Sequence, residues 1–469
     1  MSLRKFIGDR KFYKNVFLIA VPIMIQNGIT NFVALLDNIM VGQIGTEQMS
    51  GTAIVNQLLF VFNLCVFGVL SGPGIFGAQF FGQRNTEGVR HTFRFKFIIT
   101  AIVLAVGSLL LSLGGEKLIS LYLTGNGEAG NKALTLQSGL DYLSVMIIGL
   151  IPFSVTQVYT STLRETNHTI LPMIAGMCAV LANLFLDWVL IFGKLGAPEL
   201  GVKGAAIATV IARFIECAVV LIHTHVNSGK NEFIKGVYRS FKIPTELIKK
   251  IIIGGLPLAV NECLWSAGMA ALNQCYSRCG LSVVAATNIS STIFNLFGVV
   301  FIALGSSVGI IVGQILGAGD MKRAKETDTK LIAFTVMTGI VTGSLMAALS
   351  GVFPAFYNTT DEVRSLAAKL ITISGMFMPL SAFMHSAYFT LRAGGRTFVT
   401  FLFDSVYVCV ITIPTALALV TFTDLDIVPI YFTCQAVDII KVTIGFILVK
   451  KGVWLKNIVN EDQASDLKG

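Results

Sequence analysis

The chain has 469 residues, of which 54 % are hydrophobic and only 13 % charged, with a formal charge of +9 and a mean hydropathy of +0.75. That balance excludes a soluble globular domain, in which about a quarter of residues are charged. Apolar runs of about 20 residues or more recur along the whole length, more than a leader or a single anchor supplies.

The basic start MSLRKFIGDRKFYK runs directly into an apolar stretch, so no cleaved leader is expected. Apolar runs between charged or Gly/Pro-marked gaps predict twelve spans. They lie at 15–40, 51–80, 95–114, 136–162, 169–192, 203–225, 248–277, 281–316, 328–353, 364–391, 397–421 and 427–449. With both termini inside, 26 Lys and Arg fall in inner segments and 7 in outer ones. The positive-inside rule therefore supports an even number of spans and cytoplasmic termini in a multi-pass protein of the cell membrane. The basic surplus belongs to topology, and no nucleic-acid partner is expected. The eight cysteines lack Cys-x-x-Cys or Cys/His spacing and read as small packing residues.

The hydrophilic stretch HVNSGKNEFIKGVYRSFKIPTE, 225–246, divides the spans six and six. The expected organisation is an N-lobe at 1–225, a cytoplasmic linker at 226–246, a C-lobe at 247–450 and a cytoplasmic tail at 451–469. A shift of 235 residues lays Pro22 on Pro257, Gly45 on Gly280, Thr52 on Thr287, Gln79 on Gln314, Gly82 on Gly317 and Thr92 on Thr327 without a gap. Further on, with a shift of 228, TLRETNHT (162–169) matches TLRAGGRT (390–397). The halves are a parallel internal duplication. Repeats of this sort are typical of secondary transporters, with the substrate site between them. Gly305, Gly309, Gly313 and Gly317 form a groove at four-residue spacing, matched by Gly74, Ala78 and Gly82, where another helix can approach closely.

Ionisable residues inside spans are costly, by about 2.5–3.5 kcal/mol, and each raises a functional question. In the first half these are Asp37, in ALLDNIM, and Asp187, in LANLFLDWVLIF, one helical turn beyond Asn183. At 1.5 Å per residue Asp37 stands ~33 Å and Asp187 ~27 Å above the inner end, so both lie towards the outer side and can share one cavity. Two carboxylates with an amide offer oxygen ligands for Na⁺, while their mutual repulsion favours holding a proton. The alternative is that Asp187 caps a helix end or reaches the outer surface. Arg213 with Glu216, and Lys441 with Asp438, read as local ion pairs. Glu262 is expected near mid-membrane in span 7, Asp404 is expected to pair with a neighbouring cation, and His385 either relays protons or packs.

No Walker A loop, His-Glu-x-x-His or Gly-x-Ser-x-Gly occurs, so neither an enzyme nor an ATPase is expected, nor a cofactor. Uphill work would draw on an ion gradient.

The chain resembles multidrug and toxic compound extrusion (MATE) transporters of bacteria along almost its whole length. The resemblance rests on VPIMIQNGITNFVALLDNIMVGQIG, on the loops TLRETNHT and TLRAGGRT, on the Asn183-to-Asp187 spacing, and on GVKGAAIATVIARF. It implies an all-α integral membrane fold of twelve transmembrane helices, in two pseudo-symmetric six-helix lobes forming a V around a central cavity. It also implies efflux of organic, cationic or amphipathic compounds in exchange for H⁺ or Na⁺, by a monomer. Asp37, Asn183 and Asp187 fall on the N-lobe cation site of the DinF-type branch, with Thr209 on its threonine ligand. The NorM-type branch uses a carboxylate pair in spans 7 and 10. Here the span 10 position is Ser381, and Glu262 sits about one turn nearer to Pro257 than that branch has it. Glu262 and Gln157 are instead assigned to the substrate cavity. A lipid-linked saccharide flippase of the related exporter group is the alternative function, and a membrane-embedded lipid enzyme a more distant one.

Overall fold

The computed structural model describes residues 5–123, 131–357 and 359–460, and the backbone alone at 33–35, 38, 39, 46 and 281. The end of the expected tail, 461–469, lies outside the described residues. Twelve long helices follow one another: α1 Arg10–Gly42, α2 Thr46–Gly82, α3 Thr86–Tyr122, α4 Lys132–Glu165, α5 Ile170–Ile191, α6 Gly201–Val226, α7 Thr245–Ser277, α8 Leu281–Gly317, α9 Met321–Ala348 and α10 Asp361–Ala393. They are completed by α11 Thr397–Phe422 and α12 Ile427–Lys451. Among the described residues eleven are long and apolar enough to cross a membrane; α7 has the length, at 33 residues, but is not one of the eleven. No strand occurs among the described residues. A helix lies over each expected span, several of them longer, and eleven of these helices meet the length and apolarity of a membrane span. The third was expected at 95–114, yet its helix starts at Thr86, because the polar stretch before the apolar run continues the same turn.

Helix ends follow local chemistry. Asn131 accepts a hydrogen bond from the Leu134 N–H at 3.1 Å, Asp320 from Arg323 at 2.9 Å and Thr360 from Val363 at 3.4 Å. Each satisfies an N–H that the helix itself leaves free. Gly452, at φ 69°, ends α12 in the left-handed conformation that glycine adopts without penalty.

The chain forms two compact units. The first holds Ile25–Gly77 and Thr86–Lys249. In it the linker after α6 is docked, and so departs from the expected hydrophilic loop. Phe233, Ile234 and Val237 are buried, the Phe233 ring meets Phe93 at 5.6 Å, and the Arg94 guanidinium donates to the Val237 carbonyl at 2.9 Å. Beneath it, Lys96 is fully buried and its ammonium bonds both oxygens of Glu165, at 2.7 and 2.6 Å, and Thr162 at 3.0 Å. A Cβ on Gly77 would run into the Glu165 carboxylate and push it from its bond with Lys96.

The second unit holds Met1–Met24, Ala78–Asn85 and Lys250–Gly469. Lipid tails are as apolar as leucine, so close packing must hold helices together. The α8 glycine stripe supplies it to two neighbours. Phe389 of α10 packs on Gly305 and Gly309, while Ala78 of α2 lies 3.2 Å from the position of a Gly313 Cβ. At their C-terminal ends α2 and α8 cross reciprocally: a Cβ on Gly82 would strike the Gln314 carbonyl, and one on Gly317 would strike that of Gln79. The segment after α12 straps this crossing. Asn457 donates to the Gly317 carbonyl at 3.0 Å, Gln79 Oε1 accepts from the Ile458 N–H at 2.8 Å, and Trp454 is completely buried.

Candidate cation site

In α5, Ala175, Ala179, Asn183, Asp187 and Ile191 recur every four residues and all are buried. That stripe turns the amide and carboxylate into the helix bundle rather than towards lipid. Asp187 is 1 % exposed, so it neither reaches the surface nor caps its helix, which ends four residues later. Thr209 of the neighbouring α6 accepts from Asn183 Nδ2 at 3.5 Å. Asp37 of α1 faces Asp187 closely enough for the two carboxyls to interact directly. The structure thus brings together all four residues expected at the first site. Among the described residues, neither Asp187 oxygen has a hydrogen-bond donor, nor does Asp37 Oδ1. Buried acceptors of this kind are normally satisfied, and two facing carboxylates repel unless a positive charge lies between them. The donor set, all oxygens and with one neutral amide and one hydroxyl, suits a proton or a hard monovalent cation.

Tyr142 of α4 was not singled out from the sequence. It is buried, donates to Asn56 of α2 at 3.3 Å, and lies within electrostatic reach of Asp37, Asp187 and Arg213. Nothing in the spacing of α4 marks it, because its partners come from α1, α2, α5 and α6. The expected local pair of Arg213 with Glu216 is not formed among the described ion pairs. The guanidinium donates instead to the Gly149 carbonyl at 3.3 Å and stands over the Phe153 ring at 5.2 Å. The buried Gly149 carbonyl and the Phe153 ring face of α4 take the guanidinium in place of a carboxylate on its own helix.

A second polar cluster lies in the other unit. Lys441 of α12 was expected to pair with Asp438 three residues earlier. Its ammonium instead donates to Asp404 Oδ1 of α11 at 2.8 Å, which is the cation partner that Asp404 was expected to have. Asn261 of α7 donates to Asp404 Oδ2 at 3.0 Å. Glu262 is half-buried and accepts from the Tyr388 hydroxyl of α10 at 3.1 Å. His385 packs on the Phe301 ring at 5.0 Å, and its Nδ1 lies 3.3 Å from the Ser381 carbonyl. Gln157 is half-buried on α4, in the first unit, and Glu262 belongs to the second.

The MatE family pattern matches residues 22–189 and again 257–418. The two matches start at Pro22 and Pro257, the first pair of equivalent positions in the repeat. A probable multidrug resistance protein NorM of Thermotoga maritima is 25 % identical over 456 residues, covering 95 % of this chain and 94 % of that protein. The multidrug resistance protein MdtK of Pectobacterium atrosepticum is 24 % identical over 76 % of this chain and 77 % of its own. Among solved structures, an outward-facing multidrug resistance MATE family transporter of the MOP superfamily superposes with a TM-score of 0.84 at 17 % identity, over 96 % of this chain and 97 % of that one. A mutant of the Vibrio cholerae MATE transporter VcmN also gives 0.84 at 17 %, over 95 % and 98 %. These likenesses establish the shared all-helical membrane fold. With the family pattern repeated in both halves and covering most of its length, this chain belongs to the MatE family, whose members are membrane transporters and not enzymes.

Proposed function

We propose that the chain is a secondary multidrug antiporter of the cell membrane, with both termini cytoplasmic. It exports organic, cationic or amphipathic compounds as a monomer, in exchange for H⁺ or Na⁺ bound at Asp37, Asn183, Asp187 and Thr209. The observation that carries this reading is the buried pair of carboxyls with three oxygens lacking donors. An interior acceptor without a partner costs about 1–3 kcal/mol, more when charged, and a bound cation offsets that cost. Coupling requires the ion to bind the outward- and inward-facing states unequally, because equal affinity shifts nothing. Asn183, Asp187 and Thr209 sit on the closely packed pair α5 and α6, while Asp37 alone comes from α1. A change in the distance of α1 from that pair would alter the ion's affinity. Glu262 and Gln157 are the proposed contacts for substrate.

The test is efflux of a cationic dye from proteoliposomes under separately imposed H⁺ and Na⁺ gradients. One gradient should drive the wild type, and neither should drive Asp37→Asn or Asp187→Asn. Unchanged transport by both variants would overturn the assignment.

A further inference from the structure

The two polar clusters are chemically alike except in one respect. The first has carboxylates, an amide and a hydroxyl, with no ammonium or guanidinium bonded to the acids among the described residues. The second has a carboxylate that already holds an ammonium, with an amide on its other oxygen and a hydroxyl behind that amide. Asp404 Oδ1 takes Lys441 Nζ at 2.8 Å, and Asp404 Oδ2 takes the Asn261 amide at 3.0 Å. Asn261 Oδ1 is fixed by the Ser405 backbone N–H at 3.3 Å and lies 2.7 Å from the Ser405 hydroxyl, so its NH₂ group must point at Asp404. Two ring faces complete the enclosure: Lys441 Nζ stands 5.3 Å from the Phe403 centroid and 5.8 Å from that of Tyr407. The Tyr407 ring is held by its hydroxyl, which donates to the Val437 carbonyl at 2.7 Å. A carboxylate with aromatic faces is a recognition site for ammonium groups.

The backbone is adapted to the site. Asp404 and Ser405 occupy a π-helical turn, Leu402–Val406, and a second follows at Val408–Thr412. Such wide turns are rare and concentrate at functional positions. The first unit offers a comparison: Arg213 spends its charge on the Gly149 carbonyl and the Phe153 face and bonds neither Asp37 nor Asp187 among the described residues. One half therefore turns its cation away from its acids, and the other turns it towards them.

We propose that Asp404, Asn261, Phe403 and Tyr407 form a second cation site, selective for a primary ammonium, whose permanent occupant is the side chain of Lys441. Because that occupant is covalently attached, the site cannot be emptied during a transport cycle, and it adds no ion to the exchange. The inference does not depend on ion coupling at Asp37 and Asp187. Other charges within reach are Asp438, His385 and Glu262, the last facing Arg392 as well.

The test uses the purified full-length protein and its unfolding temperature. Lys441→Ala removes the ammonium and leaves room for a small amine. It should unfold several degrees below wild type, and millimolar ethylammonium chloride should recover at least half of that loss. Wild type and the Lys441→Ala/Asp404→Asn double variant should not respond. If Lys441→Ala does not fold, the double variant should fold, because it lacks the Asp404 carboxylate that Lys441→Ala strips of its counter-charge, and ethylammonium during purification should recover the single variant. Equal responses by all proteins, an equal effect of NaCl at the same ionic strength, or a double variant as defective as Lys441→Ala would each overturn the proposal.

Discussion

The first half of the chain holds two carboxyls that face each other with oxygens lacking donors, whereas the second holds one carboxylate gripped by an ammonium and an amide. Both lie on helices of a duplicated design, and both combine acid, amide and hydroxyl. The difference teaches that the charge state of a buried site is set less by its acids than by whether a cation is built in. Without one, the facing carboxyls are left with acceptors that a proton or cation would satisfy, as the proposed exchange requires. With one, the site is a fixed structural joint.

Asn at Asp37 or Asp187 should break the comparison most severely, with ion-driven dye efflux falling at least tenfold while unfolding temperature and membrane insertion stay near wild type. Loss of the tethered ammonium comes next. Lys441→Ala should cost about 3–5 kcal/mol, the range for breaking a buried ion pair by removing one partner. Adding Asp404→Asn should restore most of it in a thermal-unfolding cycle. The reciprocal glycines are where the halves should behave alike. Gly82→Ala and Gly317→Ala should each destabilise by about 1–3 kcal/mol through overpacking, equally within error, as read by denaturation in detergent. The smallest effect belongs to Thr209→Val. Its single hydrogen bond at 3.5 Å is worth about 0.5–1.5 kcal/mol, so ion affinity measured by titration of the purified protein should weaken only several-fold.

The helices were legible because apolar length and punctuation by charge report the bilayer directly, and the repeat was legible because glycines and prolines keep their positions. Asn183 and Asp187 were legible as neighbours, since one helical turn fixes their relation whatever surrounds them. Partnerships between helices were not. Lys441 lies three residues from Asp438 and the local pair was the natural expectation, yet tertiary packing set Asp404 at 2.8 Å. Arg213 likewise left Glu216 for a carbonyl and a ring on α4. Lys96 lies at the edge of the expected third span and nothing near it in sequence names a partner; only the fold buries it against Glu165. Tyr142 and Asn261 carry no local pattern at all, because the residues that give them meaning come from other helices.

At the crossing of α2 and α8, Gly82 meets Gln314 and Gly317 meets Gln79. Under the 235-residue shift each contact is the image of the other. That reciprocity, in which patch i touches j and j touches i, is the mark of an isologous interface between identical subunits. Here one polypeptide carries both copies, so the contact is independent of protein concentration. The copies have also become free to differ: Asn457 and Ile458 grip the crossing at Gly317 and Gln79, a task that no two-fold partner could have assigned to a single tail.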